Sequence, residues 1–193
     1  HKEGETAYAT TSLSTKIVAF DGAALLADLD RKVDELREKK ISDFYAWDAR
    51  RVTVRREGFE LTAVREKVGE EDKWLLDPAA KEEADRTKVE DFIRKIEGLE
   101  AAAFIDAPGP PAAHGLDRPT EIRILTKDYQ DNEKETVVLI GGPDPKSNQA
   151  VVKVPALDYL FLVDPAILQA APKEKKDWAA APPKAEEGQA DKK

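Results

Sequence analysis

Arg51-Val52-Thr53-Val54-Arg55-Arg56-Glu57-Gly58-Phe59-Glu60-Leu61-Thr62-Ala63-Val64 decides the fold. Val52 and Val54 alternate with Arg51, Thr53 and Arg55, while Phe59, Leu61 and Ala63 alternate with Glu60, Thr62 and Val64. A period of two on either side of Glu57-Gly58 is that of a half-buried antiparallel hairpin. Trp74-Leu75-Leu76, stopped by Asp77-Pro78, supplies a third strand, so the stretch reads as a three-stranded meander.

Downstream the period changes. Val89, Phe92, Ile93, Ile96 and Leu99 recur at spacings of three and four, which puts them on one helical face that should lie across the meander. Thr87 and Glu90 have capping-box spacing, Asp85 is an alternative cap, and Gly98 stands near the stop. Residues 101–105 read as extended, and Pro108, Pro110 and Pro111 make 107–113 a connecting loop. Strands follow around Ile122 and Ile124, at 136–140, at Val151, Val152 and Val154, and at 159–163. A short helix with Pro165 at its first position closes this second set.

Upstream, 17–20 reads as a strand. Residues 21–40 read as a helix with Leu25, Leu29, Val33 and Leu36 on one stripe. From 173 the chain is mostly Lys, Glu, Ala and Pro with a single Trp178, a composition too poor in apolar area to offset ordering entropy, so 173–193 is expected to be a disordered tail or linker. Trp178 then stands as a short docking motif for a partner, or as the start of a further element.

The chain has 193 residues, with 31 Lys plus Arg against 39 Asp plus Glu and a net charge of −8. That balance argues against a nucleic-acid partner, whose phosphates require a basic face. With no Cys there is neither a disulfide nor a thiolate metal site nor a cysteine nucleophile. No apolar run approaches the roughly 20 residues of a bilayer span. With His1 at its start and no Met, the sequence reads as a piece of a longer protein.

Two strand-to-helix joints resemble each other. Lys16-Ile17-Val18-Ala19-Phe20-Asp21-Gly22-Ala23-Ala24-Leu25 lies over Tyr159-Leu160-Phe161-Leu162-Val163-Asp164-Pro165-Ala166-Ile167-Leu168 at a constant spacing of 143 residues (164 − 21), and Ala7 then falls on Ala150. In both, an apolar strand hands over to Asp at a helix-capping position. The expected organisation is therefore the strand-helix end of a preceding module at 1–40, a complete module at 41–172 and the tail. The fold class expected is α+β, antiparallel β-meanders packed against amphipathic helices in a modular repeat.

The order of these signals resembles the bacterial family of the domain of unknown function 4340: Trp74-Leu75-Leu76-Asp77-Pro78, the helix at 89–99, the strand at 102–105, His114-Gly115-Leu116-Asp117-Arg118-Pro119, a strand ending at Ile140-Gly141, and 159–168. His114 stands where that family usually carries Tyr before Gly-Leu-Asp-x-Pro. The resemblance spans roughly residues 36–170. It implies an extracytoplasmic, periplasmic protein anchored to the membrane by a segment outside this sequence, in tandem modules, beside ABC-transport or gliding-type surface-assembly components. It implies a structural role for Gly115, Leu116, Asp117 and Pro119, and supplies no catalytic residue and no cofactor.

His114 would need Ser12, Ser14, Ser42 or Ser147 for a nucleophilic constellation, and none sits in an elbow motif. Asp128, Asp131 and Glu133 lack EF-hand spacing and read as a solvated loop; Glu70, Glu71 and Asp72 read as a polar turn. Gly141-Gly142-Pro143-Asp144-Pro145 reads as a hairpin turn, since two prolines remove the amides of an anion nest. Arg50, Arg51, Arg55, Arg56 and Arg65 gather positive charge on the first hairpin. Arg51, Arg55, Arg56 and Trp178 are the candidate partner-binding residues.

The function expected is a noncatalytic scaffold or protein-binding module, without metal or cofactor. A small-ligand domain with a pocket between helix 85–99 and the second sheet is the alternative, and a hydrolase remains only if a buried carboxylate pair exists.

Overall fold

Gly58 adopts a left-handed φ of 70°, which closes the Glu57-Gly58 turn and sets Val52 opposite Ala63 and Val54 opposite Leu61. All four side chains are buried, so the alternation reaches the core as the sequence predicts. A computed structural model describes residues 2–3, 6–11, 14–22, 27 and 31–181. It divides into two units, His1–Glu38 and Lys39–Lys193.

In the second unit the strands are β4 (Ala49–Arg56), β5 (Phe59–Val68), β6 (Glu71–Asp77), β7 (Glu82–Glu83), β8 (Ala103–Ile105), β9 (Thr120–Lys127), β10 (Glu133–Pro143), β11 (Ala150–Lys153) and β12 (Leu160–Val163). They form one nine-stranded antiparallel sheet in the order β7-β6-β5-β4-β9-β10-β11-β12-β8. Register carries apolar rows across it: Leu61, Val54, Ile122 and Val138 are successive neighbours, and Ile140, Val152, Phe161 and Phe104 continue the same core.

The helix Arg86–Glu97 buries Val89, Phe92, Ile93 and Ile96 in that core. Of the two predicted caps the structure uses Asp85, whose carboxylate accepts the Lys88 N–H at 3.2 Å, and Gly98 ends the helix. Asp85→Ala is expected to cost about 1 kcal/mol in urea unfolding and Asp85→Asn much less, because asparagine caps almost as well. A second, smaller apolar cluster of Val151, Leu160 and Leu162, joined by Ala103, Ile105 and Leu116, covers the opposite face at the β12 end. β12 is therefore buried on both faces.

The architecture is mostly antiparallel β-sheet, which corrects the expected α+β balance. Besides Arg86–Glu97, the helices Val33–Leu36 and Ile167–Ala170 among the described residues have four residues each and are too short to present an amphipathic face. Within the predicted 21–40 helix, Leu25 and Leu29 lie outside the described residues, while Val33 and Leu36 are exposed.

The tail expectation is also corrected for residues 173–181. Lys175–Asp177 forms a 3₁₀ turn closed by a Glu174–Asp177 capping box, and Trp178 is only 3% exposed. The Asp85 N–H donates to the Trp178 carbonyl at 2.7 Å, the Ala180 N–H donates to Glu83, and Ala179 bridges Ala84. One indole, with about 200 Å² to bury, supplies the apolar area that the surrounding composition lacks. Residues 182–193 lie outside the described residues.

In the first unit β1 (Lys2–Glu3), β2 (Thr6–Thr11) and β3 (Ser14–Asp21) form an antiparallel sheet in that order. Ala7 stands opposite Phe20, Tyr8 opposite Ala19 and Ala9 opposite Val18. In the second unit Ala150 stands opposite Val163, Val151 opposite Leu162 and Val152 opposite Phe161. Every partner in the second set lies 143 residues after its counterpart (150 − 7, 163 − 20). Burial is not shared: Ile17 is 72% and Val18 59% exposed, whereas Leu160 and Phe161 are 1% and 2% exposed.

Candidate functional site

Arg55, Arg56 and Arg65 of the first hairpin have neighbours that hold them. Arg55 lies across from Glu60 in register and pairs with it at 3.8 Å. Arg56 donates to the Pro172 carbonyl at 3.0 Å, with its guanidinium 4.8 Å from the Phe59 ring centroid, so it fastens the C-terminal strap instead of facing a partner. Arg51 is exposed on β4. Arg118 pairs with Glu57 at 2.9 Å, and the 570 Å³ cleft at this end of the sheet is lined by Glu57, Glu60 and Glu121 as well as by Arg55, Arg56 and Arg118. Its charges offset one another, so it presents no strongly basic surface.

The Gly-Leu-Asp-x-Pro segment is a packing device. Pro111–His114 forms a 3₁₀ turn, and Gly115 ends it at φ 66°. A Cβ on Gly115 would stand 2.5 Å from the Gly142 nitrogen, and a Cβ on Gly141 would run into the His114 carbonyl oxygen. The two glycine-bearing segments thus approach backbone to backbone, which places Leu116 in the second cluster and starts β9 after Pro119. Facing the Pro108 carbonyl, His114 Nε2 carries the proton, and its buried Nδ1 has no hydrogen-bond partner. Pro108, Gly109, Pro111, Leu116 and Leu160 line a largely apolar 300 Å³ hollow beside the ring.

Carboxylates in the loops are occupied with local structure. Asp128 accepts from the Asn132 side-chain amide, the Asn132 N–H and the Gln130 N–H, and these bonds hold its pKa below the usual carboxylate range. Asp144 is lowered likewise, chiefly by the Ser147 N–H and hydroxyl, which turns the chain after Gly141-Gly142-Pro143. Asp131 pairs with Lys127, and Asp72 with Arg65. Ser42 Oγ donates to the Ile96 carbonyl at the end of the long helix. Among the described residues no group of three or more His, Asp or Glu side chains is placed to hold a metal ion.

Trp178, expected in an exposed tail, packs on Phe92 of the long helix with ring centroids 5.4 Å apart, so it anchors the strap and is not presented to a partner. A 430 Å³ groove runs beside it, between the helix and the strap, lined by Lys88, Asp91, Lys95, Lys173 and Asp177. It occupies one side of the helix named for the alternative ligand pocket, but it is open and mixed in charge.

Two surfaces stand out that the candidate list did not contain. Tyr45 and Trp47 stack at 4.5 Å and 8° with more than half of each side chain exposed, and Lys40 Nζ lies 5.8 Å from the Tyr45 centroid. Three aromatics within four residues, Phe44-Tyr45-Ala46-Trp47, are the signal the sequence offers. The second is β3, where Lys16, Ile17, Val18 and Ala19 are all exposed in succession, so side chains of both faces meet solvent.

Fold and surfaces define an antiparallel-sheet module whose ordered loops serve packing. The chain belongs to the family described as Domain of unknown function (DUF4340), whose model matches residues 1–119. The match takes in β1–β3 and ends at the Pro119 turn, whereas the sequence motifs resemble the family over roughly residues 36–170. No curated protein and no solved structure matches the chain. Among the described residues no helix is long and apolar enough to cross a membrane.

Proposed function

We propose that this chain is a noncatalytic partner-binding module, one unit of a repeated series in an envelope-associated protein that assists transport or surface assembly. The observation that carries the reading is the pairing of β2 with β3: it repeats the register of β11 with β12 at a spacing of 143 residues, yet leaves exposed the positions that are buried in β12. An apolar strand exposed on both faces is a surface built to be covered. The envelope setting rests on the family resemblance.

The test is site-specific photocrosslinking in cells expressing the whole natural polypeptide. A photoreactive residue at Val18 is expected to give a discrete crosslinked peptide adduct in the digested envelope fraction, whether the partner segment lies in the same polypeptide or in another, and one at Tyr129, which is 91% exposed in the loop before β10, is not. No adduct from Val18, or equal adducts from both positions, overturns the binding role. Recovery of the adduct outside the envelope fraction overturns the setting.

A further inference from the structure

We infer that the partner covering β3 is the helix, edge strand and turn of another module of the same kind, a segment equivalent to residues 86–119 of this chain. This rests on the module reading above and names the occupant.

β12 shows what such a strand requires. Its outer edge is paired by β8, with Leu160 opposite Ile105, Phe161 opposite Phe104 and Leu162 opposite Ala103. One face, through Phe161 and Val163, joins the cluster that holds Val89, Phe92, Ile93 and Ile96 of the long helix. The other, through Leu160 and Leu162, meets Ala103, Ile105 and Leu116. Helix, edge strand and Gly115 turn all fall within 86–119.

β3 has the same pattern without the cover. At the 143-residue spacing Ile17, Val18, Ala19 and Phe20 take the places of Leu160, Phe161, Leu162 and Val163. Among the described residues β3 is an edge of its sheet, with β2 as its strand neighbour, so the edge that β8 occupies on β12 carries no described strand on β3 and can take an incoming one. An unpaired edge with apolar side chains accepts a strand by main-chain hydrogen bonds, and the alternate side chains select which strand. A partner of the 86–119 type would set its Phe104 equivalent opposite Val18 and its helix over Val18 and Phe20. A generic extended peptide would pair the edge but supply no helix for that face.

The experiment compares the full chain with the same chain extended by a second copy of residues 39–143 joined ahead of His1, the junction that the 143-residue spacing dictates. Amide hydrogen exchange is read at 16–20, with β12 amides as the internal standard. In the extended chain, exchange at 16–20 is expected to slow by about tenfold or more, and Val18→Asp to abolish the slowing while β12 stays protected. Unchanged exchange at 16–20, or slowing that survives Val18→Asp, overturns the assignment. If it fails here while Val18 still crosslinks in cells, only the identity of the partner falls; if crosslinking also fails, so does the module reading.

Discussion

Trp178→Ala is expected to lower the stability of the second unit by about 3–5 kcal/mol, the range for truncating a large buried aromatic, and its Tm by about 10 °C. The indole is 3% exposed and is held at 5.4 Å from Phe92, so the substitution leaves a hole at the junction of helix and strap. It should also free the strap. The Ala84–Ala179 bridge and the hydrogen bond from the Asp85 N–H to the Trp178 carbonyl depend on the ring staying seated, so trypsin should cut after Lys173, Lys175 and Lys176 faster than in the parent chain. Thermal melting and limited proteolysis of the intact chain check both parts. A Tm within 2 °C of the parent, where about 10 °C is expected, would mean that the strap does not dock as described.

Gly141→Ala carries the second large expected effect, about 2–3 kcal/mol in urea unfolding. Its added Cβ meets the His114 carbonyl oxygen and lies 3.2 Å from the Leu116 side chain, and the first of these is backbone that cannot rotate away. Relief requires the Pro111–Gly115 segment to lift from Gly141-Gly142, which withdraws Leu116 from the cluster with Val151 and Leu160. Gly58→Ala is the comparison. Gly58 has φ 70° but open space around its Cβ position, so alanine there bears only the left-handed conformational cost of about 1 kcal/mol. Equal losses at the two positions would show that close approach is not what Gly141 provides.

Period and turn chemistry made the β4–β5 hairpin and the long helix readable in the sequence, because both bury a face against residues close in the chain. Residues 173–181 were not, since composition averages over a window and one indole outweighs its polar neighbours once a hydrophobic site on the helix exists for it. The surroundings of the arginine patch were hidden for a similar reason. Sequence spacing counts Arg55 and Arg56 as neighbours in charge, whereas antiparallel register places Glu60 opposite the first and the strap carbonyl beside the second. Of the stripe at 21–40, Val33 and Leu36 lie on a four-residue helix and are exposed, while Leu25 and Leu29 lie outside the described residues.

The candidate site was half legible. The likeness of 16–25 to 159–168, with Ala7 over Ala150, was visible, and the strand registers keep the same spacing. What the letters could not give is exposure. Ile17-Val18 and Leu160-Phe161 are alike in hydrophobicity, and burial is decided by the helix, edge strand and loop that cover one pair and leave the other in solvent. Charged and aromatic motifs stand out in the letters, whereas the more informative feature is an ordinary apolar strand that the described residues leave exposed.

The central claim is that β2 and β3 pair in the register of β11 and β12. Cross-strand nuclear Overhauser effects between backbone protons in the intact chain test it most directly. Contacts of Ala7 with Phe20 and of Ala9 with Val18, alongside those of Ala150 with Val163 and of Val152 with Phe161, are the predicted result. A register displaced by one residue in β2–β3 would turn Ile17 and Val18 onto the faces opposite to those of Leu160 and Phe161, and would contradict the account.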